Sequence, residues 1–387
     1  MIRWVRIGIL LLVVFVLAGI AWRQTAVERG QRRCPAAHSF GTGVAPLGGA
    51  RGFWTGLTEW DSIGCEREIS ALEPLVDVIP DYAPAHRALA LAYACAGSSG
   101  RAIRAGEHYA ELRPGEPDVT LLLASIYILA GFYDRALATL ESGFLELDDA
   151  PCRVERTRGE IYVAKGMYGR AVESYLRFIE AASYELLRSD GWFEIGRVHV
   201  AQGRFDEAVE RFEQSAFPDA SDPRAAWGKS LAYALEGKTD LARAGAESIR
   251  WSSEDTCAIA PGSYELLMGR ILMREGRWIE AVRVLEASVG RARVPERLQC
   301  LMALAEAYGG AGDPQGARRA LEECFRVNPA HAEARYLSAR LYEDQGEAEK
   351  AASEYDVFLE IWRDADSDLP LVADATRRLR KIRSVQS

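Results

Sequence analysis

The stretch GWFEIGRVHVAQGRFDEAVERFEQS, residues 191–215, decides the fold. Its apolar residues fall at helical spacing on either side of Gly203, so it reads as two amphipathic helices joined by a tight turn. Each helix carries a small residue, Gly196 or Ala208, where a larger apolar one would bury more surface. The pattern recurs along the chain. A glycine followed five residues later by alanine stands at Gly97/Ala102, Gly131/Ala136, Gly166/Ala171, Gly203/Ala208, Gly237/Ala242, Gly276/Ala281, Gly312/Ala317 and Gly346/Ala351. The intervals are 34, 35, 37, 34, 39, 36 and 34 residues. Four residues before these glycines stand Tyr93, Tyr127, Tyr162, Tyr233, Tyr308 and Tyr342, with His199 and Leu272 in the two other units. Seven residues before them the side chain is always small: Ala90, Ala124, Gly159, Gly196, Ser230, Gly269, Ala305 and Ala339.

Physical chemistry gives each small residue a task. Gly196 is expected opposite Ala208, where two helix backbones approach too closely for larger side chains. Gly203 is expected to end the first helix in a left-handed conformation that a Cβ would resist. Proline closes several units, as at Pro80, Pro114 and Pro329. One hairpin cannot bury both of its faces, so the units must stack. Stacking also suits a chain of 387 residues, longer than one compact core usually grows.

Trp192, Ile195, Gly196, His199, Ala208 and Phe212 together resemble the tetratricopeptide repeat. The resemblance covers residues 83–363 and implies an all-α, right-handed solenoid of about eight helical hairpins. Residues 53–82 are expected to form an N-terminal cap with a partial repeat, its second helix in EREISALEPLVDVI (66–79). Residues 364–387 are expected to hold a C-terminal capping helix. The run YDVFLEIWRDADSDLP (355–370) is similar to the ends of tetratricopeptide regions in bacterial proteins, including regions attached to kinases, but no kinase motif accompanies it.

The first 22 residues contain an uninterrupted apolar run, IGILLLVVFVLAGIAW (7–22), preceded by Arg3 and Arg6. It is read as a transmembrane signal anchor, with a cleaved signal peptide as the alternative. Arginines flank both ends and leave the orientation nearly tied; a single-pass bacterial inner-membrane protein with a periplasmic solenoid is the expectation. Residues 23–52, rich in Gly, Ala, Pro and Arg, read as a flexible linker.

Composition argues against several function classes. A net charge of −9 without a basic stripe speaks against nucleic-acid binding. Seven cysteines at 34, 65, 95, 152, 257, 300 and 324 form no CxxC, so a structural metal site is not expected. Cys95, Cys300 and Cys324 read as small buried apolar residues, whereas Cys34 and Cys65 are free to pair if the domain is exported. No phosphate-binding loop, HExxH or GxSxG is present, and His199 reads as a packed core histidine. Neither catalysis nor a cofactor is expected.

The resemblance implies instead a concave groove lined by the first helix of each unit. The family's fifth positions correspond to Arg87, Leu121, Arg156, Phe193, Trp227, Leu266, Met302 and Tyr336. Its ninth positions correspond to Leu91, Ser125, Glu160, Arg197, Leu231, Arg270, Glu306 and Arg340. The candidate partner-binding set is Arg156, Glu160, Phe193, Arg197, Trp227, Leu266, Arg270, Tyr336 and Arg340, because aromatics beside arginines are typical of protein-binding hot spots. Packing against the next repeat is the alternative for the apolar members. Asn328 is the sole asparagine, so groove types that read a ligand's backbone with asparagine have no counterpart. The expected function is a non-catalytic, membrane-anchored scaffold or assembly factor that binds protein partners; a signal-cleaved periplasmic protein of envelope or pilus assembly is the alternative. The architecture is similar to that of lipopolysaccharide-assembly regulators, without their CxxC-bearing metal module.

Overall fold

The structure is a computed structural model that describes residues 62–142, 150–216, 222–253, 262–292 and 294–386. Among the described residues there are eighteen α-helices and no strand. Helix α1 (Ser62–Val78) precedes eight antiparallel pairs. These are α2 (Ala83–Cys95) with α3 (Ser99–Leu112), α4 (Pro117–Ala130) with α5 (Tyr133–Ser142), α6 (Ala150–Ala164) with α7 (Tyr168–Ala181), and α8 (Glu185–Ala201) with α9 (Phe205–Ser215). They continue with α10 (Pro223–Glu236) and α11 (Thr239–Ser253), α12 (Ser263–Arg274) and α13 (Trp278–Arg291), α14 (Glu296–Gly310) and α15 (Pro314–Val327), and α16 (Ala332–Asp344) and α17 (Ala348–Ile361). Helix α18 (Pro370–Gln386) follows, burying Ala375, Leu379 and Ile382 as it packs against α17. Each helix packs on its pair partner and on the next pair, giving a right-handed solenoid. The apolar run at 7–22 and the linker at 23–52 lie outside the described residues. Among the described residues no helix is long and apolar enough to cross a membrane.

The hairpin at 191–215 shows why its small residues are needed. Gly203 has φ +73°, and the next residue, Arg204, donates its N–H to the His199 carbonyl at 2.9 Å. The other seven units repeat this bond at 2.8–2.9 Å, always to the carbonyl four residues before the glycine. The first helix therefore ends in the same left-handed cap every time.

Gly196 answers to a different neighbour from the one expected. A Cβ there would lie 2.7 Å from Cε1 of the Phe212 ring, and one on Gly228 in α10 would lie 2.6 Å from the same ring. Phe212, fully buried, is thus slotted between glycines of two successive first helices. Ala208 joins the same cluster with Ala232, and it is the ring rather than Ala208 that Gly196 accommodates. Three helices meeting at one point leave a gap that a flat ring fills and a methyl does not. Tyr175 over Gly159 and Leu285 over Gly269 repeat one side of the arrangement, each against a single glycine, with would-be Cβ contacts of 2.6 and 2.5 Å.

The repeat tyrosines also link neighbouring units. Tyr93, Tyr127 and Tyr308 donate their hydroxyls to Glu73, Glu107 and Glu286 on the preceding helix, at 2.8, 2.8 and 2.6 Å. Arg101 and Arg135 lie over the Tyr93 and Tyr127 rings, 4.5 and 4.4 Å from the centroids. The hydroxyl bonds cross a repeat boundary, while the two cation–π contacts tie the Tyr93 and Tyr127 rings to the second helix of their own hairpin.

Cysteine usage departs from the expectation. Cys65 of α1 is bonded to Cys95 at the end of α2, with Cα atoms 6.2 Å apart. Cys95 is therefore a cross-link rather than a small apolar filler, because α1 packs along α2 and brings the two side chains together. Cys34 lies outside the described residues. Cys300 and Cys324 are buried free thiols, as read from the sequence.

The superhelix turns tightly enough for distant repeats to touch. The turns holding Gly97, Gly131 and Gly166 lie against the segments 327–330 and 362–366, which follow the seventh and eighth pairs.

Two outcomes test this packing. Gly228→Ala is expected to lower stability by about 1–3 kcal/mol in thermal denaturation despite alanine's better helix propensity, and Phe212→Leu in the same chain is expected to recover part of the loss. Alkylation mass spectrometry without reductant is expected to leave Cys65 and Cys95 unmodified, and Cys95→Ser is expected to destabilise the N-terminal repeats by about 3 kcal/mol.

Candidate functional site

The nine residues expected on the groove separate into two groups. Trp227, Leu266 and Tyr336 are buried, at 8%, 4% and 7% exposure, and Phe193 is half-buried. The Trp227 indole N–H donates to the Ser263 carbonyl at 2.8 Å, reaching the start of the next first helix. Its ring is 6.4 Å from Phe193, which in turn lies 5.3 Å from Phe212. Tyr336 donates to Asp374 of α18 at 2.6 Å and packs against Phe358, centroids 5.6 Å apart. Leu266 belongs to the main apolar core. The apolar ladder therefore joins one repeat to the next, since neighbouring first helices such as α10 and α12 touch directly.

The charged members pair with each other and with residues the groove positions did not include. Arg156 Nε lies 3.4 Å from Glu160 Oε1, and its Nη1 lies 3.7 Å from Asp190 Oδ2. Asp190, 4% exposed, also pairs at 2.7 Å with Arg224, which is held at 2.6 Å by the helix-capping Asp222. Arg270 reaches across to Glu306 of the next unit at 2.7 Å, and Arg197 pairs with Glu194 at 3.0 Å. Arg340 lies 3.5 Å from the Tyr336 hydroxyl, and its buried Nε has no hydrogen-bond partner among the described residues.

These charges influence one another, although the Arg197 side chain is 41% exposed. Arg197 feels Glu194 most strongly, then Glu296 and Glu160 at longer range, and Glu194 holds its pKa above the ordinary value. Glu333 of α16 faces Glu306, Arg270 and Arg197. Burial pushes the carboxyls of Glu160, Glu296 and Glu333 above the usual carboxylate range, and Arg156 only partly offsets this at Glu160. Burial opposes the Arg156 guanidinium, but Glu160, Asp190 and Glu194 outweigh it and raise its pKa. Ion pairs thus run from the third to the fifth pair through Arg156, Asp190 and Arg224 and from the sixth to the seventh through Arg270 and Glu306, with Arg197 and Glu333 near enough to interact with them.

Asp190, Arg224 and Glu333 carry a signal that the fifth and ninth positions miss. Thirteen residues before the repeat glycines stand Asp118, Arg153, Asp190, Arg224 and, in the last unit, Glu333. Charges of alternating sign at one register position of successive repeats are placed to pair across the boundary, as Asp190 and Arg224 do. Asp118 pairs instead with Arg87 of the preceding unit at 2.9 Å.

What this arrangement offers chemically is charge pairing. Among the described residues no group of three or more His, Cys, Asp or Glu is placed to hold a metal ion. A cleft of about 220 Å³ lined by Ile179, Glu185, Arg188, Ser189, Trp192 and Gln214 falls below the usual size of a small-molecule site, about 300–1,000 Å³.

The family model described as Tetratricopeptide repeat matches residues 156–223, 193–250 and 302–368. The chain is 23% identical over 295 residues to the TPR repeat-containing protein YpiA of Bacillus subtilis, covering 73% of this chain and 64% of that one. It is 27% identical over 263 residues to Cellulose synthase operon protein C of Xanthomonas axonopodis pv. citri, covering 63% of this chain and 17% of that one. The chain thus spans less than two thirds of the length of either relative. Among solved structures, a thermophilic TPR protein of Thermus thermophilus aligns at TM-score 0.41 and 18% identity, over 49% of this chain and 98% of that one. A tetratricopeptide repeat protein from Parabacteroides merdae aligns at TM-score 0.41 and 13% identity, over 80% and 98%. Eight stacked hairpins are closed by the same left-handed glycine, and residues 156–250 and 302–368 among them match the tetratricopeptide-repeat model, so the solenoid contains tetratricopeptide repeats.

Proposed function

We propose that this protein is a non-catalytic scaffold that binds a protein partner through the charged concave positions of its repeats. Tetratricopeptide repeats in general mediate protein–protein interaction. The observation that carries the reading is the run of ion pairs along the first helices, Arg156 with Glu160 and Asp190, Asp190 with Arg224, and Arg270 with Glu306, together with Glu296, whose Oε2 has no hydrogen-bond partner among the described residues. Trp227, Leu266 and Tyr336 are engaged in repeat-to-repeat packing, so recognition falls to Arg156, Glu160, Arg197, Arg270 and Arg340, with Phe193 at the margin. A partner held there would be selected by directional ion pairing, which confers specificity and association rate more than raw affinity.

For location, we propose a periplasmic solenoid anchored in a bacterial inner membrane by residues 7–22. The Cys65–Cys95 disulfide supports an oxidising compartment, since such bonds are rare in the reducing cytosol. The second reading, a signal-cleaved periplasmic protein of envelope assembly, draws on the same disulfide and on the partial match to a protein named for a cellulose synthase operon.

Crosslinking capture from native membranes is the test. Arg197→Glu with Arg340→Glu is expected to reduce captured partner about tenfold or more, whereas Arg319→Glu on the exposed face of α15 is expected to leave it unchanged. Equal capture by all three chains would refute the concave assignment. N-terminal sequencing of the mature protein is expected to find the apolar run retained; a start near Trp22 would establish the cleaved form.

A further inference from the structure

We infer that the contact between the first three and the last two repeats is a latch that controls access to the concave face. The inference rests, for its consequence, on the reading of that face as the binding face; the latch itself is a matter of geometry.

The seam consists of polar bonds between residues 195–228 positions apart in sequence. Ser99 donates to the Val327 carbonyl at 2.8 Å, and Tyr133 to the Ala330 carbonyl at 3.1 Å. Asn328 donates to the Tyr133 hydroxyl at 3.1 Å and to the Ile128 carbonyl at 3.4 Å. Further along, the Trp362 indole donates to the Ala164 carbonyl at 3.0 Å. Asp366 accepts from the Gly169 N–H at 2.9 Å, and its own N–H donates to the Gly166 carbonyl at 3.1 Å. Lys165 bridges Asp134 at 2.7 Å and Asp364 at 3.3 Å. The fit is close: a Cβ on Gly131 would sit 2.5 Å from the Ala330 methyl, and one on Gly166 would sit 2.9 Å from that of Ala365.

Two features make this a latch and not a part of the core. Each turn on the N-terminal side is complete within its own hairpin, because the glycine cap closes on the preceding helix whether or not the seam is made. Repeats are stabilised chiefly by their immediate neighbours, so losing the seam leaves every hairpin its partners. Beside the apolar contacts of Tyr168 with Trp362, the seam carries hydrogen bonds and ion pairs that water can replace on both sides, each contributing modestly. Trp362 packs edge-on against the buried Tyr168 ring of the third hairpin, centroids 6.1 Å apart, and is also held within its own repeat by Phe358, 5.0 Å away.

With the seam made, Ile195 of the fourth hairpin shares one apolar cluster with Tyr336 and Trp362 of the eighth, and Arg197 stands near enough to Glu296 and Glu333 to interact with them. With the seam broken, the superhelix lengthens and these side chains separate. The seam therefore sets the balance between a closed form with its charges self-paired and an open form that exposes them.

The test uses the purified full chain and needs no partner. The variant carries Tyr133→Phe, Asn328→Ala and Asp366→Ala, and a thiol reporter, Glu306→Cys, is placed on the concave face. The triple variant is expected to keep the wild-type far-UV circular dichroism, to show a larger radius of gyration by small-angle X-ray scattering, and to react with a bulky maleimide about tenfold faster at the reporter. Joining Gly169→Cys to Asp366→Cys with a short bifunctional maleimide is expected to slow labelling below the wild-type rate. Unchanged size and labelling with intact helix content would overturn the latch, and so would loss of helix content, which would make the seam part of the folded core. Either failure leaves the partner-capture result untouched, and failed capture leaves this measurement untouched.

Discussion

A flat ring held between two glycines governs the architecture of this protein. Phe212 fits only because Gly196 and Gly228 present bare backbone to it, and its depth in the slot sets how closely α8, α9 and α10 approach. Tyr175 against Gly159 and Leu285 against Gly269 mark a similar close approach inside the third and sixth pairs. Helix spacing and crossing angle at each boundary add up along the chain, so a local packing choice becomes a superhelical pitch. The pitch in turn brings the last repeats onto the first.

The ion pairs along the first helices are partly withdrawn from water. Arginine–carboxylate pairs taken from water recover little net stability, because desolvation offsets most of the attraction. Their value lies in direction: Arg270 with Glu306 and Arg224 with Asp190 each join one hairpin to the next at a fixed register. Arginine suits the task, with a planar fork of donors that can serve two carboxylates at once, as Arg224 does with Asp190 and Asp222.

The repeat itself was legible because its determinants are local. The glycine cap, the tyrosine position and the small residue seven places earlier act within one hairpin and recur at one period. The error over Gly196 and Ala208 arose where three helices meet, since a pairwise view of two helices cannot say which side chain fills the gap. The Cys65–Cys95 bond was missed because it depends on which face of α1 meets α2. Of the groove positions, Arg197 and Arg270 stand among the paired charges, whereas Trp227 and Tyr336 are taken up by the neighbouring repeat, a difference set by how near successive first helices come. The seam was invisible in the sequence, because it depends on small rotations summed over about six repeats. Asn328, notable in the sequence only as the sole asparagine, sits at its centre, where a side chain with both a donor and an acceptor is needed.

The seam also bears on how the chain could have changed its length. Open solenoids tolerate gain or loss of a unit, because every repeat contacts only its neighbours. Here the turn at Asn328 meets the glycine at 131, and the turn at Asp366 meets the glycine at 166, so the contacts are in register unit by unit. Duplicating or deleting one hairpin between them would rotate the last repeats onto the wrong turns and leave Asn328 and Trp362 facing surfaces not shaped for them. The number of hairpins between the two edges thus becomes a structural constant of the protein, counted by the seam.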